Sequence, residues 1–235
     1  MAVNPAMLLI RCKVNKIIER IHERIDQAIV EKRDKPRTYL GASVLGTECA
    51  RQLWYTKFDP KEVQDPNVLR KFKVGNFLEP MIVELFEKAN YQLFCTGENQ
   101  IRFEDGELAG SGDGIIKGIE GDEETPYLLE IKTSNSFSFK QFVKDGIDAN
   151  EKYKGQINIY MYKFKLKKCL FVVMNKDTQE LHIEIVRLDE YEAVRLLERG
   201  KHILTMTEPP ERHFPRSNYF KCKWCNWNKT CWSDE

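Results

Sequence analysis

Apolar residues recur at helical spacing through the first third of the chain. Val14, Ile17, Ile18, Ile21, Ile25, Ala28 and Ile29 stand three or four apart with charges between them, which predicts an amphipathic helix over 13–33. Lys32–Arg37 is a charged, proline-containing connector, and Ser43 is placed to cap a second helix reaching about Tyr55. Asp65-Pro66 has the form of a helix start, continued by the stripe Leu69, Phe72, Leu78, Met81, Ile82, Leu85, Phe86 and Ala89. Pro80 falls inside that stripe and predicts a kink, because it removes a backbone donor and crowds the preceding turn.

From Tyr91 the pattern shortens. Strands are predicted at about 91–96, 99–104, 107–118 and 126–132, with Asp105-Gly106 as a hairpin turn and Gly121–Thr125 as an acidic loop. Residues 136–146 and 149–165 read as helices. Residues 169–174 and 181–186 read as strands around a polar turn at 176–178, and 189–207 form a last helix that Pro209-Pro210 ends. No repeat or low-complexity tract interrupts this order. It predicts an α/β core over 91–208, an N-terminal helical region over 1–90 carrying Cys49 and Glu79, and a Cys-rich clip over 209–235, all within one integrated domain.

Composition narrows the class. A chain of 235 residues with 42% hydrophobic and 11% aromatic residues can bury a real core, which excludes disordered and collagen-like chains. No apolar run approaches the roughly 20 residues that a bilayer crossing needs. The short apolar stretch Ala6–Ile10, followed by Arg11 and Lys13, lacks the basic lead and cleavage site of a secretory leader, so a cytoplasmic protein without membrane partners is expected. Net charge of +1 excludes little, since 37 basic and 36 acidic residues can segregate into patches.

They do segregate along the sequence. Lys152, Lys154, Lys163, Lys165, Lys167 and Lys168 run without an intervening acid, and so do Arg212, Arg216, Lys221, Lys223 and Lys229 in the tail. Phe214, Tyr219, Phe220, Trp224, Trp227 and Trp232 interleave with the tail charges. Basic grooves with aromatic faces hold single strands without reading their sequence. The bland alternative is a solvated lysine face with tryptophans packed under the tail. The lysines of 152–163 are taken as binding surface and the tryptophans as packing.

Candidate chemistry centres on Gly110-Ser-Gly-Asp113-Gly and Leu128-Leu-Glu130-Ile-Lys132. Asp113 sits at a turn into a strand. Glu130 and Lys132, two apart on a β-prone run, share one face and leave Ile131 on the other. Two carboxylates beside an ammonium can hold a hard divalent cation and a nucleophilic water, which suits phosphodiester hydrolysis. A bare Glu-x-Lys is ordinarily a cross-strand ion pair, and only its neighbours make it specific. Gly75-x-x-x-Glu79 upstream and Gln156-x-x-x-Tyr160 downstream each place two residues on one helical face.

In order, Gly75-x-x-x-Glu79, Gly112-Asp113, Glu130-Ile-Lys132 and Gln156-x-x-x-Tyr160 resemble the RecB-like branch of the PD-(D/E)XK nucleases, over roughly residues 40–232. The resemblance implies a restriction-endonuclease-like core, a central mixed sheet flanked by helices. It implies Mg2+ or Mn2+ held by Glu79, Asp113, Glu130 and the Ile131 carbonyl. Lys132 then positions water or stabilises charge, with Gln156 and Tyr160 as the branch's Gln-x-x-x-Tyr signature. Glycine replaces the usual proline before Asp113. Glu79 followed by Pro80 resembles the phage-type recombination exonucleases of the same superfamily.

Of seven cysteines, three crowd the tail as Cys222-x-x-Cys225-x5-Cys231, and Cys49 lies far upstream. In a reducing compartment such a cluster points to metal rather than disulfides. The pattern resembles the iron–sulfur nucleases, namely the CRISPR-associated RecB-like exonucleases (the fourth Cas protein) and the AddB subunits, and implies a 4Fe-4S cluster on Cys49, Cys222, Cys225 and Cys231. Zinc on the same thiolates is the rival. Cys12, Cys95 and Cys169 are expected to be buried as small hydrophobes. The four histidines form no ligand spacing. The expected activity is a metal-dependent exonuclease on single-stranded DNA ends, with Arg51, Lys152, Lys154 and Lys163 on phosphates. A structure-selective endonuclease, a double-strand resecting recombination exonuclease or a DNA-processing subunit stays open. So does the partner protein, from CRISPR adaptation, recombination or repair.

Overall fold

The structure, a computed structural model, describes the backbone of residues 5–233 and the side chains of residues 15–233. The side chains of Cys12 and Val14, and Asp234, lie outside the described residues. Helix α1 spans Pro5–Glu31, starting earlier than its apolar period predicts. Next come β1 (Leu40–Gly41), α2 (Ala42–Leu45) and α3 (Ala50–Phe58). The single helix expected over 43–55 is therefore two. Gly41, not Ser43, precedes the first, and the chain breaks at Gly46, where a Cβ would lie 2.5 Å from the backbone oxygen of Glu151.

Helix α4 (Pro66–Lys88) runs on through Pro80. Strands β2 (Gln92–Phe94), β3 (Arg102–Asp105), β4 (Leu108–Ser111), β5 (Gly114–Lys117) and β6 (Tyr127–Ser134) follow. Helices α5 (Ser136–Asp145) and α6 (Glu151–Phe164) lead to β7 (Lys168–Asn175), β8 (Leu181–Arg187) and α7 (Glu190–Leu204). Two single turns, α8 (Phe220–Lys223) and α9 (Asn228–Cys231), complete the tail.

Two compact units divide these elements. The smaller takes the residues up to Lys35 together with Glu62–Asn76; the larger takes Pro36–Lys61 and the chain from Phe77 onward. Within the smaller, Arg70 pairs with Asp26 and Arg33 with Glu62, while Ile17, Ile18, Ile21 and Ile25 face solvent.

Within the larger unit the main sheet has the order β2-β5-β6-β7-β8 and is mixed: β6 and β7 are parallel and every other pair is antiparallel. The parallel pair is joined through α5 and α6, a β–α–β crossover. Covered on both faces, β6 and β7 are nearly continuous runs of buried residues. On one face Leu128, Phe171 and Val173 pack with Phe142, Ile157, Met161 and Leu196 from the helices. On the other, Leu129, Ile131, Leu170 and Val172 meet Ile82, Val83 and Phe86 of α4. A second sheet, β1-β4-β3, contains the expected hairpin, with Asp105 opposite Leu108 and Gly106 at φ +61° in the left-handed region the turn demands. The segment expected as one strand over 107–118 is cut at Gly112-Asp113, because β4 belongs to the small sheet and β5 to the large one. Among the described residues no helix is long and apolar enough to cross a membrane.

Candidate active site

The cut between β4 and β5 positions Asp113, whose Oδ2 accepts a hydrogen bond of 2.7 Å from the Ile131 N–H. Glu130 and Lys132 project from β6 toward α6, and Ile131 turns to the α4 side, as period two requires. Glu130 is fully buried, and Lys132 Nζ donates to its Oε1. The same oxygen receives Gln156 Nε2 at 2.8 Å, while the Tyr160 hydroxyl lies 3.3 Å from that amide nitrogen. Glu79, half-buried on α4, accepts from Gln100 Nε2 at 2.9 Å.

Three carboxylates therefore share one low-dielectric region and oppose one another's ionisation. Burial and the Asp113 charge push Glu130 up to about 8. Burial raises Asp113, and burial with the Asp113 charge raises Glu79. Burial works against the Lys132 ammonium, but Glu130 and Asp113 outweigh it and hold its proton more tightly than usual. The Tyr160 phenol is raised by burial and then by Glu130, so it stays a neutral hydroxyl.

Among the described residues, Glu130 Oε2 is buried with no hydrogen-bond partner. An orphaned carboxylate oxygen beside two further acids fits a divalent cation, which would satisfy the lone pairs and remove the mutual repulsion. Among the described residues, however, no three acidic, imidazole or thiol groups already stand as a ready metal site. Lys132 instead occupies the other Glu130 oxygen, Oε1.

Three contacts at this site have little sequence signal. Gln100 lies on a loop without periodicity. Tyr153, whose ring lies 5.3 Å from Lys132 Nζ, was readable as one helical turn before Gln156. Gly110 leaves room for Tyr160: a Cβ there would lie 2.5 Å from the ring and 3.0 Å from the hydroxyl.

The cysteines form a second locality. Cys49, Cys222, Cys225 and Cys231 line one small cavity with Tyr55 and Trp227. Burial and then the other three thiols raise Cys222, and burial raises Cys225 with added contributions from Cys49 and Cys231. Arg199 fixes the approach to Cys49 by donating to the carbonyls of Thr47 (2.8 Å) and Glu48 (2.7 Å). Trp227 seals the tail, donating to the Asp59 carbonyl at 2.8 Å and stacking on Tyr55. Among the described residues these thiols do not already stand as a metal site, and Arg51 Nε beside them is buried without a hydrogen-bond partner. Cys169 is buried as expected, but Cys95 is exposed, because β2 is an edge strand that ends there.

The surface residues divide. Lys152 is exposed on a cavity of about 1060 Å³ beside the cysteines, together with Lys221, Phe220 and Trp224. Lys154 is instead paired with Asp148 at 2.7 Å and Lys163 with Asp105 at 2.6 Å. Arg51 donates to the Pro210 carbonyl at 2.7 Å and stacks over Tyr55, holding the tail. A nearby acid, Asp148, and a distant one, Asp105, thus neutralise part of the lysine run. Trp224, expected to pack, is 80% exposed, whereas Trp227 is buried.

No known protein family's sequence profile matches the chain. No curated protein matches it either. Solved structures do. The protein SSO0001 superposes at TM-score 0.52 with 20% identity, covering 92% of this chain and 98% of that one. The alkaline exonuclease LHK-Exo from Laribacter hongkongensis gives TM-score 0.53 with 18% identity over 72% of this chain and 87% of its own. LHK-Exo in complex with dAMP gives 0.53 with 17% identity, over 71% and 86%. The architecture is the restriction-endonuclease-like nuclease fold, a mixed sheet flanked by helices with no closed barrel.

Proposed function

We propose that the chain is a divalent-metal-dependent deoxyribonuclease that removes nucleotides from DNA ends of single-stranded character. The observation that carries this reading is the gathering of Asp113, Glu130 and Lys132, with the orphaned Glu130 oxygen, on a fold shared with an alkaline exonuclease. Glu79, Asp113, Glu130 and the Ile131 carbonyl are the residues to hold Mg2+ or Mn2+. When bound, the ion supplies Lewis-acid polarisation of the phosphate and a more acidic water. Lys132 keeps its proton and offers positive charge to the phosphoryl oxygens as charge builds on them. Gln156 fixes the Glu130 carboxylate, and Tyr160 holds Gln156.

Cys49, Cys222, Cys225 and Cys231 hold a 4Fe-4S cluster in this reading and join the tail to α3. Lys152, with exposed Trp224 and Phe220 nearby, supports contact with a single strand through phosphates and base stacking. Phosphate contacts carry no base code, so weak sequence preference and strong inhibition by salt are expected.

A double-strand resecting recombination exonuclease is the second reading, favoured by Glu79-Pro80, which resembles the phage-type recombination exonucleases. Initial rates on matched blunt, overhanging and single-stranded linear DNA, and on circular single strands, separate the two. Faster digestion of linear single-stranded ends supports the first. Preference for blunt duplex supports the second, and cutting of circles would point to an endonuclease.

A further inference from the structure

Among the described residues, strand β8 leaves one edge of the main sheet open: its partner is β7, and the strand order ends with it. The Glu180 carbonyl and the Leu188 N–H bond across to β7 or its flank, at Asn175 and Lys167. Alternation in an antiparallel pair then turns the N–H and C=O groups of Leu181, Ile183 and Ile185 toward the open edge. Natural edge strands are usually blunted by a charge, a proline or a bulge. Here the residues with outward backbone groups are Leu181, Ile183 and Ile185, 40%, 49% and 49% exposed, and along this row only Arg187 at the strand's end brings a charge. They form one apolar row on the α4 side of the sheet, opposite Val172 and Leu170 of β7.

The other face of β8 carries a second unmet demand. Among the described residues, His182 Nε2 is buried without a hydrogen-bond partner. Glu184, two residues on, accepts the Ile147 N–H at 2.8 Å with Oε2 and lies 3.8 Å from His182 Nε2, too far for a hydrogen bond.

We propose that β8 pairs antiparallel with β8 of a second copy of this chain, about a two-fold axis at Ile183. Both Ile183 residues then have outward backbone groups and form a hydrogen-bonded pair, as the alternation requires. Leu181 falls opposite the partner subunit's Ile185 on the apolar face, and His182 opposite the partner subunit's Glu184 on the other. One register therefore matches apolar with apolar and imidazole with carboxylate, twice over, as a two-fold contact demands. Centring the pair on Glu184 instead would also match outward backbone groups, Ile183 with Ile185, but would set two carboxylates face to face. The main sheet continues through both subunits.

The test is sedimentation and light scattering of the full chain, with two variants. Position 183 is half-exposed on an edge, so Ile183→Lys should keep the fold, but it sets two ammonium groups against each other at the axis. Wild type is expected at twice the chain mass and Ile183→Lys at the single chain mass, with unchanged circular dichroism. Ile183→Cys should form a disulfide between the two subunits under mild oxidation, identified by mass spectrometry as a peptide joined to its own copy at position 183. Directly opposed residues stand about 5.5 Å apart at Cα, within disulfide reach. If Ile183→Lys fails to fold, this link decides alone. A monomeric wild type, a dimer that persists in folded Ile183→Lys, or absence of the intersubunit link in Ile183→Cys would overturn the proposal.

Discussion

Gln156 Nε2 lies 2.8 Å from Glu130 Oε1, and this bond ties helix α6 to the buried carboxylate of β6. It leaves the other Glu130 oxygen unpartnered and sets which one faces Lys132 and Gln156. Replacing Gln156 with Ala should therefore cost more than a surface amide. We expect about 1–3 kcal/mol of stability, the range for stranding a buried polar group. We also expect roughly 10–100-fold in divalent-cation affinity or rate, as for other outer supports of metal ligands. Thermal unfolding and calorimetric Mn2+ titration read the two effects separately. Unchanged cation affinity in a folded Gln156→Ala would remove Gln156 from the site.

Acidity gives a second prediction. Unfolded, Glu130 titrates near 4.5; folded and free of cation it keeps its proton up to about 8, because of burial and Asp113. Between those values the folded state binds more protons than the unfolded state. The contribution of this group is fully present below about pH 4.5 and is lost as pH rises through about 8. The melting temperature of chelated wild type should fall over that window relative to Glu130→Gln, and Mn2+ should restore it at the upper end. A parallel pair of pH curves would contradict the burial account.

Gly110 makes a steric prediction. A methyl group at that position meets the Tyr160 ring at 2.5 Å and Ala42 Cβ at 3.1 Å, both held in the core. Gly110→Ala should lose about 1–3 kcal/mol, and hence several degrees in melting temperature. It should also push Tyr160 away from Gln156. A Gly110→Ala protein as stable as wild type would show that the helix yields freely.

The cysteine locality predicts colour. Protein purified without oxygen should be brown with about four irons per chain. Cys49→Ala should bleach it as fully as Cys225→Ala, since both line the same cavity. Stoichiometric zinc without iron would reverse the assignment.

Much of the site was legible because it is periodic. Glu130 and Lys132 share a strand face two apart, and Gln156 and Tyr160 share a helix face four apart, so local geometry alone brings each pair together. Asp113 was marked by its glycines. What escaped depends on contacts between distant segments. The lysine run looked unopposed because Asp105, which pairs with Lys163, comes from a distant hairpin, while Asp148 pairs with Lys154 from just before the run. Arg51 looked free until the tail carbonyl of Pro210 arrived beside it. The helix break at Gly46 is set by close packing on Glu151, and the cut at Gly112-Asp113 by a strand passing from one sheet to another.

The central claim is that the buried carboxylates and Lys132 together hydrolyse DNA with a divalent cation. The most direct test is a time course on end-labelled linear DNA, with Mg2+, Mn2+ or chelator, for wild type, Asp113→Ala, Glu130→Ala and Lys132→Ala proteins shown to be folded. Wild type should release nucleotides only with a cation, and each variant should lose at least ~100-fold in rate while keeping most of its DNA affinity. Full activity in chelator, or in folded Glu130→Ala, would contradict the account.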